Sequence, residues 1–121
     1  MTKTILVVED EKPLAEAVKL KLAKLDFNVS AVPSAEEALE IMKKNDIDLI
    51  WLDLRLPKMH GLDFLKILRN DSRFKDKKVV IVSVSGGEEI KEKAEKLGIT
   101  DYLVKSEYKL DEIISRVTKH I

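Results

Sequence analysis

The sequence contains no cysteine, which removes disulfides, thiolate catalysis and thiolate metal sites from consideration. It also lacks glutamine, and it carries only 3 prolines, 4 glycines and 5% aromatic residues, so it is neither collagen-like nor a proline- or glycine-rich low-complexity chain. The only two histidines, His60 and His120, lie too far apart to form a metal pair on one helix. Neither sign of charge prevails: 22 basic residues meet 22 acidic ones. That balance gives no chain-wide attraction to nucleic acid or to an anionic membrane, so any phosphate chemistry must arise at a local site. No apolar run reaches the length of a membrane span, and the N-terminus lacks a signal-peptide pattern. The expectation is a cytoplasmic protein with no membrane association and no direct binding of nucleic acid by this chain.

What is present is a globular composition, 45% hydrophobic and 36% charged over 121 residues. This suits a single domain over residues 1–121, without repeats or linkers. Five short apolar runs alternate with longer amphipathic stretches. The runs are Thr4–Val8, Asn28–Val32, Leu49–Leu52, Val79–Ser83 and Asp101–Val104. Three of them, ILVV, LIWL and VVIV, are almost continuously apolar, as strands buried on both faces of a parallel sheet must be.

The stretches between read as helices. Pro13 suits a first turn, and Leu14, Val18, Leu22 and Leu25 recur at helical spacing. Ser34 with Glu37 forms a capping box ahead of Ala38, Leu39, Ile41 and Met42. Leu62, Leu65 and Leu68 make a third stripe, and Glu88–Lys96 a fourth helix closed by Gly98 as a left-handed cap. Leu110, Ile113, Ile114 and Val117 define the fifth. Five strand–helix units imply an α/β fold, a doubly wound (βα)5 three-layer sandwich. Ligands of such folds bind beyond the carboxyl ends of the strands, where strand order reverses.

The residues at those ends are Glu9 and Asp10, then Pro33, Asp53, Ser83 and Lys105. Three carboxylates converging on one edge repel each other and call for a cation. Oxygen ligands without Cys or His suit a hard ion such as Mg²⁺. A lysine and a hydroxyl at the same edge suit an incoming anion. The set describes phosphoryl transfer, in which positioning and charge neutralisation carry most of the catalysis. Competing phosphate sites are poorly matched. No G-x-G-x-x-G and no Walker sequence occurs. The acidic loop Glu9-Asp10-Glu11 would repel a bare phosphate, which also disfavours FMN. A D-x-D phosphatase is disfavoured because Arg55, not a second acid, lies two places after Asp53.

The segments ILVVEDE, LDLRLPKMHG, VVIVSVSG and DYLVKS, in this order, closely resemble those of chemotaxis-type response-regulator receiver domains of two-component signalling. The spacings are 43, 30 and 22 residues, from Asp10 to Asp53, Asp53 to Ser83 and Ser83 to Lys105. The resemblance covers essentially the whole chain and implies a flavodoxin-like five-stranded parallel sheet. It also implies that Asp53 accepts a phosphoryl group from a histidine kinase or histidine phosphotransfer protein, and that a downstream output protein or domain reads the result. By the same resemblance, Asp10 ligates Mg²⁺ directly, Glu9 acts mostly through a water, Asp53 completes the carboxylates, and the Arg55 carbonyl supplies a further ligand. Ser83 takes the place of the hydroxyl, Lys105 that of the lysine, and Tyr102 that of the aromatic switch, with Gly86 and Gly87 easing movement of the loop after Ser83.

The chain departs from the family pattern at Ser106, where proline is usual, at Val84, where a small residue is usual, and at Arg55, whose position varies and tunes adduct lifetime. His60 reads as a solvated loop residue and Trp51 as a core aromatic. The alternatives are a pseudo-receiver that binds partners without phosphorylation and a small metal-dependent phosphatase, the latter lacking any substrate-binding insertion.

Overall fold

The computed structural model describes residues 2–84 and 87–121. Its strands are β1 (Thr4–Val8), β2 (Asn28–Val32), β3 (Leu49–Leu52), β4 (Lys78–Ser83) and β5 (Asp101–Val104). Its helices are α1 (Lys12–Lys24), α2 (Ala35–Lys44), α3 (Gly61–Arg69), α4 (Glu88–Lys96) and α5 (Leu110–Thr118), with a short 3-10 turn at Lys105–Glu107. The strands form one parallel sheet in the order β2-β1-β3-β4-β5. Strand bounds agree with the apolar runs, except that β4 starts one residue earlier, at Lys78.

Two cores explain why the central strands are apolar at every position. Leu6, Val8, Ile50, Leu52, Val79 and Ile81 pack toward α2, α3 and α4. The alternate residues Ile5, Val7, Leu49, Trp51, Val80 and Val82 pack toward α1 and α5. Successive strand side chains point to opposite faces, so a sheet covered on both sides needs hydrophobes without interruption. Each such side chain contributes about 1.5–3 kcal/mol on complete burial.

The helical stripes turn inward as expected, with one correction. Leu25 is not part of the α1 stripe: the helix ends at Lys24, Asp26 turns left-handed at φ 69°, and Leu25 is 52% exposed. Ala15, Val18 and Leu22 form the buried face instead. At the start of α2, Ser34 Oγ accepts from Glu37 N at 3.3 Å and donates to the Glu37 carboxylate at 3.1 Å. Gly98 takes φ 76° after α4. Arg69 ties α3 to this turn by donating to the carbonyls of Leu97 (2.6 Å) and Gly98 (3.0 Å). Among the described residues, no helix is long and apolar enough to cross a membrane.

The start of β5 is locked to α5 through Asp101. Its carboxylate accepts from Arg116 Nη2 at 3.0 Å and from Tyr102 N at 2.8 Å, and it lies 3.0 Å from His120 Nε2. Burial pushes this carboxyl up, but the His120 ring, the Tyr102 N–H and the Arg116 guanidinium outweigh it and hold it below the usual value of 3.8. A folded-state pKa below the unfolded one stabilises the protein above the unfolded pKa, and that contribution is lost as pH falls through the folded value. Asp101→Asn is therefore expected to cost about 1.5–3 kcal/mol at pH 7, the range of a hydrogen bond to a charged group. In urea melts, its deficit relative to the parent should shrink as pH drops below about 4.

Candidate functional site

Sheet order reverses between β1 and β3. β1 leads to β2 on one side, whereas β3 lies on the other. A cleft therefore opens beyond the carboxyl ends of these two strands, and the first residues past them are Glu9 and Asp53. Both are pinned by the ladder itself: Asp53 N donates to Val8 O and Glu9 N to Val32 O, each at 3.0 Å. Glu9 is 2% exposed and Asp53 4%, whereas Asp10, one residue beyond Glu9, is exposed.

Carboxylate oxygens of Glu9, Asp10 and Asp53 lie within 4.8 Å of one another. Lys105, at the first position after β5, reaches into this group. Its ammonium donates to Glu9 Oε1 at 2.5 Å and to Asp53 Oδ2 at 3.3 Å. The remaining oxygens are held by the backbone: Glu9 Oε2 accepts from Glu11 N at 3.1 Å and Asp53 Oδ1 from Arg55 N at 3.2 Å. Burial dominates the acidity of Glu9 and pushes its carboxyl up to about 7, against the pull of Lys105 and the Glu11 N–H. Burial draws Lys105 down, but the Glu9 hydrogen bond and the Asp53 and Glu9 charges outweigh it, so its pKa is raised. Lys105 thus stays a cation.

Ser83 ends β4, fully buried, and its Oγ has no hydrogen-bond partner among the described residues. Tyr102 is half-buried in β5 and packs against the core that faces α2, α3 and α4. Burial raises the pKa of its hydroxyl, and the negative charge of Asp53 adds to the rise. The Arg55 side chain is exposed, and its N–H rather than its guanidinium contacts Asp53. Val84 is 50% exposed beside Ser83. Gly86 lies outside the described residues; Gly87 is exposed immediately before α4. Among the described residues no peptide is cis, and the chain passes from Lys105 through Ser106 in the 3-10 turn.

Two positions were not recognised from sequence. His60 is not a solvated loop residue: it is half-buried, and its Nδ1 accepts from Leu62 N at 3.1 Å, capping α3. Gly61 begins α3 directly against the backbone of Asp53 and Leu54. A Cβ on Gly61 would lie 2.7 Å from Asp53 O and 2.7 Å from Leu54 Cα, both backbone atoms that cannot swing aside. The sequence displays the glycine but not the backbone it abuts, since contact across the Arg55–His60 loop has no local signature. Gly61→Ala is expected to lower stability by about 1–3 kcal/mol, the usual cost of overpacking a tight contact. It should also displace the Asp53 amide resonance, whereas equal shifts spread over distant amides would point to general loosening.

An open α/β sheet whose switch-point edge carries three carboxylates, a lysine and a buried hydroxyl defines a doubly wound protein with an acidic group that could hold a metal ion. The model of the response regulator receiver domain matches residues 5–118, and the chain belongs to that family, the signalling receivers of two-component systems. It is 36% identical over 113 residues to the cell cycle response regulator CtrA of Brucella ovis, across 93% of this chain and 47% of the relative. The chain thus spans about half the length of the curated relatives it matches. Its fold is similar to that of the Vibrio cholerae chemotaxis protein CheY4, with a TM-score of 0.91 over 100% of both chains at 23% identity. It is also similar to a phosphorylated cyanobacterial phytochrome response regulator, RcpA (TM-score 0.85, 29% identity, 99% of this chain and 91% of that one).

Proposed function

We propose that residues 1–121 act as one cytoplasmic phosphoacceptor domain, in which Asp53 takes a phosphoryl group from a histidine kinase or histidine phosphotransfer protein. The observation that carries this reading is the Lys105 ammonium shared between Glu9 and Asp53. A buried pair of carboxylates with one cation and a third carboxylate beside it is built to receive a further cation and an anion together. The donor set consists of oxygens only, which fits Mg²⁺. Asp10, Asp53 and the Arg55 carbonyl would hold the ion directly and Glu9 through a water. When bound, the ion neutralises the carboxylates and the oxygens of the incoming group.

The chain's own groups divide the remaining work. An Asp53 oxygen forms the bond to phosphorus as the phosphorus–nitrogen bond of the partner's histidine breaks, and the imidazole leaves. Lys105 turns from the carboxylates to a phosphoryl oxygen by a charge-assisted hydrogen bond. Ser83, whose buried hydroxyl has no partner among the described residues, donates to a second oxygen. The added charge, about −1.5 to −2, then biases two pre-existing conformations through Ser83 and Tyr102. An output protein or domain reads the change on the face formed by α4, β5 and α5, where Tyr102 lines a groove of roughly 530 Å³.

Incubation with acetyl phosphate and Mg²⁺ is expected to add one acid-labile phosphoryl group to the intact protein, detected by mass spectrometry. Asp53→Asn should abolish it; a parent-like yield in that variant would overturn the assignment. Asp10→Asn should weaken Mg²⁺ binding more than Glu9→Gln, because Asp10 is exposed whereas Glu9 is already engaged by Lys105 and Glu11. Failure to bind Mg²⁺ or to form any adduct would leave the pseudo-receiver reading, and turnover of a generic phosphate ester would favour a phosphatase.

Val84 bears on rate. Being β-branched and stiff, it stands beside the buried hydroxyl and narrows the in-line approach to Asp53. Val84→Ala is expected to speed both loading and loss of the adduct several-fold, about 1 kcal/mol in barrier, when the adduct is followed over time.

A further inference from the structure

At the end of the sheet opposite the carboxylates, an open cavity of about 520 Å³ lies between the C-terminal ends of α3 and α4 and the loop that leads into β4. Five cations, Arg69, Lys75, Lys77, Lys78 and Lys96, line it against a single acid, Asp76. The chain as a whole carries no net charge, so the cavity is a local excess of positive charge. Lys77 is paired with Asp46 at 2.9 Å, and Lys78 donates to His120 O at 2.8 Å. Lys75 and Lys96 are exposed, and their ammonium groups have no partner among the described residues.

Arg69 differs from these lysines in being half-buried and held in place. It donates from Nε to Leu97 O at 2.6 Å, from Nη2 to Gly98 O at 3.0 Å and from Nη1 to Lys75 O at 3.1 Å. All three acceptors are neutral, and Asp76 acts on the guanidinium only through space. Burial draws Arg69 below its ordinary pKa, as befits a cation taken from water without a bonded counter-charge. Both terminal nitrogens keep a further N–H for a ligand. The dipole of α4 disfavours an anion at its C-terminal end, but the Leu97 and Gly98 carbonyls there are already engaged by Arg69. We propose that this cavity binds a compact polyanion of the diphosphate or triphosphate class, with the fixed guanidinium of Arg69 as anchor and the ammonium groups of Lys75 and Lys96 closing on it. The excess of cations calls for several negative charges on the ligand, and phosphate oxygens match the planar fork of arginine. The volume falls in the range of small-molecule sites, about 300–1,000 Å³. Free pyrophosphate and the phosphates of a nucleotide share this chemistry. The site lies at the edge away from Asp53, so the inference stands apart from the phosphoacceptor reading.

The experiment titrates pyrophosphate, orthophosphate and ADP into the full chain without Mg²⁺, followed by NMR at about 0.1 M salt, where charges beyond about 10 Å are screened. Pyrophosphate should shift the Gly98 and Thr100 amides and the Arg69 Nε–H saturably, and bind about tenfold tighter than orthophosphate. Tighter binding of ADP than of pyrophosphate would identify a nucleotide as the ligand, and weaker binding the inorganic anion. Lys75→Gln combined with Lys96→Gln should weaken pyrophosphate binding about tenfold. Lys43→Gln combined with Lys44→Gln, which removes the same charge from the exposed end of α2, should change it by less than about twofold. Arg69→Lys keeps the charge but loses the fork and should also weaken binding; the Lys75 and Lys96 pair carries the test if that variant does not fold. Asp53→Asn should leave binding unchanged, which separates this site from the carboxylate edge. The absence of saturable shifts, shifts centred on Asp53, equal affinities for pyrophosphate and orthophosphate, an equal loss in the α2 pair, or tighter binding of oligoglutamate than of pyrophosphate would each overturn the proposal.

Discussion

Glu9 and Asp53 are buried side by side at the end of two adjacent parallel strands, and a single ammonium group, Lys105, reaches both. Removing like charges from water is costly, and an effective interior dielectric well below that of water magnifies their repulsion. The fold tolerates the pair because three separate devices act on it. Lys105 supplies the counter-charge, the N–H groups of Glu11 and Arg55 occupy the outer oxygens, and Glu9 shifts toward its neutral form. The positions of β1, β3 and β5 are therefore coupled electrostatically at one edge, although the strands cohere through apolar packing elsewhere.

That packing was plain in the sequence because a two-sided sheet leaves a strong trace. ILVV, LIWL and VVIV show no polar interruption, since neither face of β1, β3 or β4 meets water. Strand ends follow from these runs, and with them the placement of Glu9, Asp53, Ser83 and Lys105 along one edge. Periodicity misleads where a helix stops. Leu25 continues the spacing of Leu22, but the left-handed turn at Asp26 takes it out to solvent. No local pattern marks that turn, because Asp is only an occasional substitute for Gly in such a conformation.

Other features of the site depend on atoms far apart in the chain and were not legible. That His60 caps α3 rests on the direction of one ring nitrogen. That Gly61 must lack a side chain rests on how closely α3 approaches the backbone of Asp53 and Leu54. Trp51 reads as an ordinary core aromatic, and only three-dimensional packing shows that its ring is enclosed while its nitrogen lacks an acceptor. Sequence reasoning thus reaches the composition of the edge and stops short of the contacts that hold it in place.

The ion pair between Lys105 and Glu9 spans 96 positions of chain. The residue after β1 is one partner and the residue after β5 the other, so β3 and β4, which lie between those strands in the sheet, must be in register before they meet. Parallel pairings of this kind are slow to form, since loop entropy is lost before the contact rewards it. The acidic edge is therefore complete only in a chain whose β5 has paired, since the residue after that strand supplies the cation that Glu9 and Asp53 share. The completed edge is in this sense a chemical certificate that the last strand has docked.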